Sequence, residues 1–274
     1  MHLEVVAPSP ALADYVEYYG VWEEDAEDDV PLGAPVLPGV VNGLNVLVGR
    51  SVEVAAAGEG SRVQVAALAG MVGMVTWQQL YQRQASQAGV LGIYFRPAGF
   101  FHLFGAPMAE ATDPTLAVGR LAGQFAHELI ERISQAETNG QRLAAADELL
   151  LRQLHCQQPM PNAIDLVADR ILHQHGQVNI EALAHDAGLS RRQLERRFLT
   201  EVGAPPKLYA RIVRFNHVLQ LLAASPAPSW QDIAYRCGYY DQAHFIREFR
   251  FFTGKSPSNY SLVDSDFAHF FWAR

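Results

Sequence analysis

An internal repeat in the C-terminal part of the chain constrains its fold more than any other sequence feature. Residues 198–209 match residues 249–260 at Phe, Gly, Pro and Tyr with a constant offset of 51. Just upstream, residues 183–189 (LAHDAGL) match residues 233–239 (IAYRCGY) with an offset of 50. A fixed offset indicates a duplicated structural unit. The one-residue difference predicts a longer turn in the second copy, at Tyr240 and Asp241.

Each copy predicts two helices joined by a tight turn. In the first copy, apolar residues recur at helical spacing on both sides of Gly188, at Leu183, Ala187, Leu194 and Phe198. The small residues at the turn allow the two helices to approach each other closely. The repeat unit is therefore predicted to be a helix, a Gly turn and a second helix.

The second helix of the first copy is predicted to begin at Arg191 and is unusually basic. Ser190 followed by Gln193 is a capping-box pattern, which marks a helix N-terminus. The polar residues of this helix, arranged around one apolar seam, are Arg191, Arg192, Gln193, Glu195, Arg196 and Arg197.

Two further helices are predicted to frame the repeat. Apolar residues between Ile164 and Ile171 recur at helical spacing and stop at His175 and Gly176, where Gly suits a left-handed cap. Between the copies, residues 208–222 keep an apolar 4-3-4-3 spacing up to Pro226. This spacing predicts one helix of about 16 to 18 residues that holds the two units at a fixed separation.

The first 155 residues have a different pattern. Short β-prone runs occupy residues 40–48, 52–56, 63–67 and 90–95. Two helical stretches follow, one with Leu121 to Ile133 and one with Leu143 to Leu154, separated by Asn139 and Gly140. The predicted fold class is therefore α+β, a β-rich N-terminal domain with a helical hairpin followed by an all-α domain. The expected divisions are residues 1–155, a linker at 156–161, the repeat domain at 162–260 and an aromatic tail at 261–274.

The charge is distributed unevenly between these regions. The whole chain has a formal net charge of −8, which by itself disfavours binding to nucleic acid. Residues 1–161 contain 8 Lys and Arg against 18 Asp and Glu, whereas residues 162–260 contain 12 against 9. Phosphate binding requires a local basic surface rather than a basic whole. Contact with DNA is therefore expected from the repeat domain alone.

The repeat domain resembles the DNA-binding domain of the AraC/XylS family of transcription regulators. The resemblance rests on LAxxAGLSxxxLxRRF in the first unit and IAxxCGYxDxxHFxREFxxxTGxSPxxY in the second, with Arg214-Phe215 and Leu221-Leu222 between them. It covers residues 162–260. It implies a protein that binds double-stranded DNA in two successive major grooves and contacts RNA polymerase, with an N-terminal domain that binds a small-molecule effector or forms a homodimer. Such companion domains vary and are often cupin-like.

The resemblance implies DNA contacts from the second helix of each unit. In the first unit it favours base-edge contacts by Arg192, Glu195 and Arg196, and a phosphate contact by Arg191, with Gln193 on the same helix. The matching residues of the second unit are Gln242, Ala243, His244 and Arg247. Gln242 suits adenine, Ala243 a methyl contact, and Arg247 guanine or phosphate. His244 suits DNA contact and helix packing equally.

The N-terminal region offers few diagnostic residues. Trp22, Trp77, Tyr94 and His102 are candidates for an effector pocket, although aromatic residues in a β module more often belong to the core. The spacing of the His residues disfavours a metal site, and no cofactor is expected. Cys237 is expected to be buried structurally. An enzyme or DNA-repair domain fused to the repeat domain is the alternative, but the repair type needs a cysteine cluster where this chain has Cys156 alone.

Neither secretion nor membrane insertion is expected. The first residues lack a basic segment followed by an apolar run, and Gly, Gln and Pro interrupt the longest uncharged stretches. The two cysteines, Cys156 and Cys237, are too far apart in the sequence for a CxxC site. A cytoplasmic location is therefore expected.

Overall fold

The computed structural model of the chain describes residues 2–23, 39–49, 52–56, 62–65, 69–72, 81–84, 88–110, 122–224 and 229–260. The described strands all lie before residue 96, and the α-helices follow them. The predicted α+β class, with a β-rich N-terminal region, a helical hairpin and an all-α C-terminal domain, is therefore confirmed.

The described strands form two antiparallel sheets, and their order in the chain is β1 (His2–Val6), β2 (Val16–Glu23), β3 (Asn42–Gly49), β4 (Val52–Ala56), β5 (Arg62–Val65), β6 (Ala69–Val72), β7 (Tyr81–Gln84) and β8 (Ala88–Phe95). The larger sheet has the order β1-β2-β8-β3-β6, and the smaller has the order β5-β4-β7. In the larger sheet, β8 pairs with both β2 and β3, so that Leu91 lies beside Val21 and Val46. All three side chains are buried.

Four strands coincide with the predicted β-prone runs, and four were not predicted. The run at 52–56 matches β4, and the other three runs overlap β3, β5 and β8. No β-prone run in the sequence indicates β1, β2, β6 or β7. In β2, buried Tyr19 is followed by Gly20 and buried Val21, so the strand lacks a clear alternation of polar and apolar residues.

The N-terminal helices are α1 (Gly99–Phe104), α2 (Gly123–Gln135) and α3 (Asn139–Gln157). Helices α2 and α3 form the predicted hairpin, and their buried Leu129, Ile133, Ala146 and Leu150 share one core with the larger sheet. The hydroxyl of Tyr19 on β2 donates to Oδ1 of Asp147 on α3 at 2.8 Å, which ties the hairpin to the sheet.

The sequence predicts that Asn139 and Gly140 separate the two helices, and this prediction is wrong. They are the first two residues of α3. Thr138 is the N-cap: its Oγ1 accepts a hydrogen bond from the Gln141 amide, and the Gln141 side chain accepts one from the Thr138 amide. This capping box starts the helix despite the turn-like Asn-Gly pair.

The C-terminal domain consists of α4 (Ala163–His173), α5 (Ile180–Asp186), α6 (Arg191–Val202), α7 (Pro206–Ala223), α8 (Trp230–Arg236) and α9 (Gln242–Thr253). Helix α7 has the 18 residues that the spacing predicts. Its Tyr209 and Val213 pack in one core with α4, α5 and α6, whereas its Phe215 and Leu219 pack in a second core with α8 and α9. One rigid helix therefore connects two separate helix-turn-helix units.

None of the helices in the described part of the chain is both long and apolar enough to cross a membrane.

Candidate nucleic-acid interface

The first helix-turn-helix unit consists of α5 and α6. Asn179 caps α5 by accepting hydrogen bonds from the amides of Glu181 and Ala182. The chain then turns at Gly188, whose φ is +66°. Ser190 caps α6 with the predicted capping box, since Ser190 Oγ accepts from the Gln193 amide at 3.3 Å and Gln193 Oε1 accepts from the Ser190 amide at 2.9 Å. The predicted start of this helix at Arg191 is confirmed.

The second unit consists of α8 and α9 and has the same order of helix, Gly turn and capped helix. Ser229 caps α8, and the chain turns at Gly238 with a φ of +68°. Asp241 caps α9, since its Oδ1 accepts a hydrogen bond from the His244 amide. Buried Phe245 and Phe249 hold α9 against α7 and α8. In both units the second helix thus begins at a side-chain N-cap shortly after a Gly turn, and the first turn of such a helix is the part that a helix-turn-helix presents to a major groove.

All five residues singled out on α6 are exposed: Arg191, Arg192, Gln193, Glu195 and Arg196. They differ in their contacts. Arg191 donates to Oε1 of Glu181 at 2.9 Å and to Oε1 of Glu195 at 3.0 Å. These carboxylates, Glu195 first, raise the pKa of the Arg191 guanidinium above its ordinary value. Arg192 and Arg196 form no side-chain ion pair with any described residue.

Of the matching residues on α9, Gln242, Ala243 and Arg247 are exposed. His244 is half-buried, and its ring lies edge-on to the ring of Tyr239 with 5.4 Å between the centroids. The packing contact of His244 is thus present, and the residue also lines the cleft described next.

A cleft of about 800 Å³ lies between the two units. It is lined by the beginnings of α5, α6, α7 and α9, namely Val178, Asn179, Ile180, Glu181, Arg191, Lys207, Ala210, Arg211, Arg214, His244 and Glu248. Lys207, Glu181 and Glu248 are not among the site residues predicted from the sequence. Lys207 could have been noticed, since it and Lys255 are the two lysines of the chain.

An ion pair in this cleft connects α9 of the second unit to α7. The guanidinium of Arg211 on α7 donates to both carboxylate oxygens of Glu248 on α9, at 2.8 and 2.9 Å. The same guanidinium lies 4.5 Å from the ring centroid of Phe251. A bidentate pair of this kind fixes orientation as well as distance. It therefore holds α9 at a defined angle to the helix that connects the units.

The four candidate effector residues do not form one described site. Tyr94 is buried in β8, where its hydroxyl donates to Oδ1 of Asn45 at 3.1 Å and its ring stacks on Tyr18. His102 lies on α1 and is bound to a residue of α4. Trp22 lies in β2, but its side chain is outside the described part, and Trp77 is outside the described residues altogether.

His102 belongs to a contact between the N-terminal domain and the first unit. Its Nε2 lies 2.9 Å from Oδ2 of Asp165 on α4, and its side chain is only 6% exposed. Arg96, after β8, forms a 2.6 Å ion pair with Asp169 on the same helix. Nδ2 of Asn42 donates to the carbonyl of Val202, the last residue of α6, at 3.3 Å.

The apolar part of this contact involves both units. Val40 packs against the cores of the first and the second unit. Met108 lies directly against Gly203, the residue that ends α6 with a φ of +93°. The N-terminal domain thus lies against α4 and against the C-terminal end of α6.

Comparisons with known proteins agree with this geometry. Residues 183–262 match the family described as "Helix-turn-helix domain", and residues 4–117 match a "Domain of unknown function (DUF6597)". The HTH-type transcriptional activators RhaS of Escherichia coli strains E24377A and SE11 are 37% identical to this chain over 106 residues. The match covers 37% of this chain and 38% of each relative.

Among solved structures, ToxT of Vibrio cholerae aligns over 88% of this chain and 96% of its own, with 10% identity and a TM-score of 0.45. An unsaturated fatty acid bound form of ToxT aligns with 11% identity and a TM-score of 0.43. The sequence matches with the helix-turn-helix model and with RhaS lie in the C-terminal part, where both helix-turn-helix units lie. The C-terminal part of the chain therefore contains the helix-turn-helix domain that this family model describes, and over that part it is similar to HTH-type transcriptional activators.

Proposed function

We propose that this protein is a sequence-specific DNA-binding regulator of transcription that places α6 and α9 in two successive major grooves. The observation that carries this proposal is the pair of equivalent helix-turn-helix units on one connecting helix, each with exposed polar side chains at the start of its second helix. The basic balance of residues 162–260 supports it, because it supplies attraction to phosphate that residues 1–161 lack. We propose no catalytic role for the protein.

Within α6 we propose that Arg192 and Arg196 read base edges and that Arg191 anchors the helix to phosphate. Arg192 and Arg196 are one helical turn apart and share a face, and each is free to form two hydrogen bonds with guanine. Arg191 is oriented by Glu181 and Glu195, so that a phosphate would have to share its guanidinium with these carboxylates. The remaining candidates, Gln193, Gln242, Ala243, His244 and Arg247, are proposed to lie at the same interface.

Binding titrations at several salt concentrations test these roles on two duplexes, one selected from a random pool by the full chain and one scrambled. Arg192→Ala and Arg196→Ala should each cost about 1 to 3 kcal/mol on the selected duplex and much less on the scrambled one. Arg191→Ala should weaken both and reduce the salt slope by about one ion. Equal losses on both duplexes for Arg192→Ala and Arg196→Ala would show that α6 positions the protein without reading sequence.

The rigid connection through α7 also predicts the arrangement of the binding site on DNA. Two tandem units on one helix predict an asymmetric DNA site with two boxes, each a short segment bound by one unit. The two boxes should lie about one helical turn of DNA, roughly 34 Å, apart. Footprinting of the full chain on the selected duplex measures this directly. Protection of one short box per monomer would remove the second unit from base contact.

We further propose that the N-terminal domain, residues 1–155, controls the DNA-binding domain, residues 162–260, in response to a small-molecule effector or a protein partner. The support is the polar contact between the two, in which His102 and Arg96 bind neighbouring carboxylates of α4. Because His102 is engaged there, we assign it to domain contact rather than to an effector pocket. Dimer formation and contact with RNA polymerase are part of the same proposal.

A thermal-shift screen of the full chain against metabolites separates a sensor from an assembly domain. Binding of a ligand to the folded state raises apparent stability by an amount that grows with ligand concentration. A concentration-dependent shift identifies an effector. Formation of a stable dimer with no shift for any compound would favour assembly as the role of the N-terminal domain.

A further inference from the structure

The two helix-turn-helix units differ by one residue in the turn that precedes the second helix. In the first unit one residue, Leu189, separates Gly188 from the N-cap Ser190. In the second unit Tyr239 and Tyr240 separate Gly238 from the N-cap Asp241. The structure shows which of the two tyrosines is additional.

Tyr239 is the structural equivalent of Leu189. The Leu189 amide donates to the Ala184 carbonyl at 2.9 Å, and the Tyr239 amide donates to the Ala234 carbonyl at 3.0 Å. Tyr239 is also buried, with its ring packed edge-on against Phe245. Tyr240 is therefore the inserted residue.

Tyr240 projects into solvent beside the N-terminal end of α9. In the proposed function this end of α9 faces DNA. Its exposure is 93%, the highest among the large exposed hydrophobic residues of the described chain. It directly precedes Asp241, whose carboxylate is engaged with the His244 amide. Side chains at the N-terminal end of a recognition helix are the ones that meet the groove and the phosphates that flank it.

We propose that Tyr240 is a DNA-contacting residue of the second unit, with its hydroxyl donating to a phosphate oxygen beside the second box. This inference rests on the proposed function. A neutral phenol suits the position, because it donates a hydrogen bond to phosphate. Since the position lies outside α9 itself, the contact anchors the helix to the backbone and does not read a base. The first unit has no counterpart of Tyr240.

The chain offers a matched control in Tyr235. This residue lies on α8, before the turn, and is 86% exposed, so it has the same chemistry and nearly the same exposure. Both side chains project into solvent, so Tyr240→Ala and Tyr235→Ala should leave the fold unchanged. Thermal melting of each variant checks this before binding is measured.

The test measures the affinity of the full chain and its variants for the selected and the scrambled duplex. Tyr240→Ala should weaken binding about tenfold on both duplexes, as expected for loss of a hydrogen bond to a charged group, and Tyr240→Phe should retain only part of the affinity. The salt slope should stay unchanged, because no cation is removed. Tyr235→Ala should bind as the unmodified chain does.

A neutral methylphosphonate at the phosphates that flank the second box completes the experiment. If the hydroxyl binds one of them, this modification weakens the unmodified chain but abolishes the difference between it and Tyr240→Phe. Binding by Tyr240→Ala within twofold of the unmodified chain would overturn the inference. A loss confined to the selected duplex, or an equal loss for Tyr235→Ala, would overturn it as well. Failure of the unmodified chain to bind any duplex would instead refute the proposed function.

Discussion

Gly176→Ala is expected to destabilise the DNA-binding domain because the backbone of α7 passes directly beside this glycine. Gly176 follows α4 with a φ of +72°. A Cβ atom at this position would lie 2.0 Å from the Ala210 carbonyl oxygen and 2.8 Å from the Arg214 amide nitrogen. Both atoms belong to the backbone of a helix, so neither can move without displacing α7. The substitution therefore forces α4 away from the helix that connects the two units.

The magnitude follows from two contributions. An alanine with positive φ costs about 1 to 2 kcal/mol in any environment. Overpacking against backbone adds about 1 to 3 kcal/mol. Gly188→Ala measures the cost of the positive φ alone. Gly188 has a φ of +66°, but no atom lies within 4 Å of the Cβ that the substitution would add. Gly188→Ala should cost about 1 to 2 kcal/mol and Gly176→Ala about 2 to 5 kcal/mol.

Chemical denaturation followed by far-UV circular dichroism measures both values on the full chain. At a temperature where Gly176→Ala remains folded, its affinity should fall for a duplex with both boxes but not for one with the second box alone, because the first unit is displaced. Equal losses of stability for the two variants would refute the reasoning, since the contact with α7 would then be relieved at no cost.

Two further predictions concern titratable groups whose pKa is shifted by burial, Cys237, which is buried, and His217, which is half-buried. Burial raises the pKa of the Cys237 thiol to about 11, so a maleimide at neutral pH should modify exposed Cys156 and leave Cys237 unmodified until the chain unfolds, as mass spectrometry would show. Burial, and then the stacked ring of His175, lower the folded-state pKa of His217 below its ordinary value of 6.5. The unfolded chain therefore binds the proton more readily, and the free energy of unfolding should fall as the pH drops below about 6.5, less steeply in His217→Gln.

The C-terminal domain could be predicted from the sequence because its signals are local and occur twice. The Ser190 and Gln193 capping box, the Gly turns and the apolar spacing of α7 each act within a few residues. The exposed arginines of α6 follow from the same spacing. The ion pair between Arg191 and Glu181 does not, because the two residues are ten positions apart and meet only when α5 packs on α6.

The N-terminal domain was less predictable because its strands pair with strands that lie far away in the sequence. Strand β1 pairs with β2, and β2 pairs with β8 about 70 residues later, so that neither strand has to show a strong pattern of its own. Asn42 illustrates the same point for the domain contact. Its amide donates to the carbonyl of Val202, 160 residues away, and no local pattern indicates this role.

The polar contact between the domains forms a continuous path to the recognition helix of the first unit. His102 binds Asp165, and Asp165 also accepts a hydrogen bond from the Asn162 amide at 2.6 Å. The Asn162 side chain donates to Glu201 at 2.9 Å and accepts from Arg197 at 3.0 Å, and both of these residues lie on α6. We therefore expect a displacement of α1 to be transmitted to α6 through Asp165 and Asn162. Since α7 holds the second unit through a separate core, control by the N-terminal domain should alter affinity for the first box more than for the second.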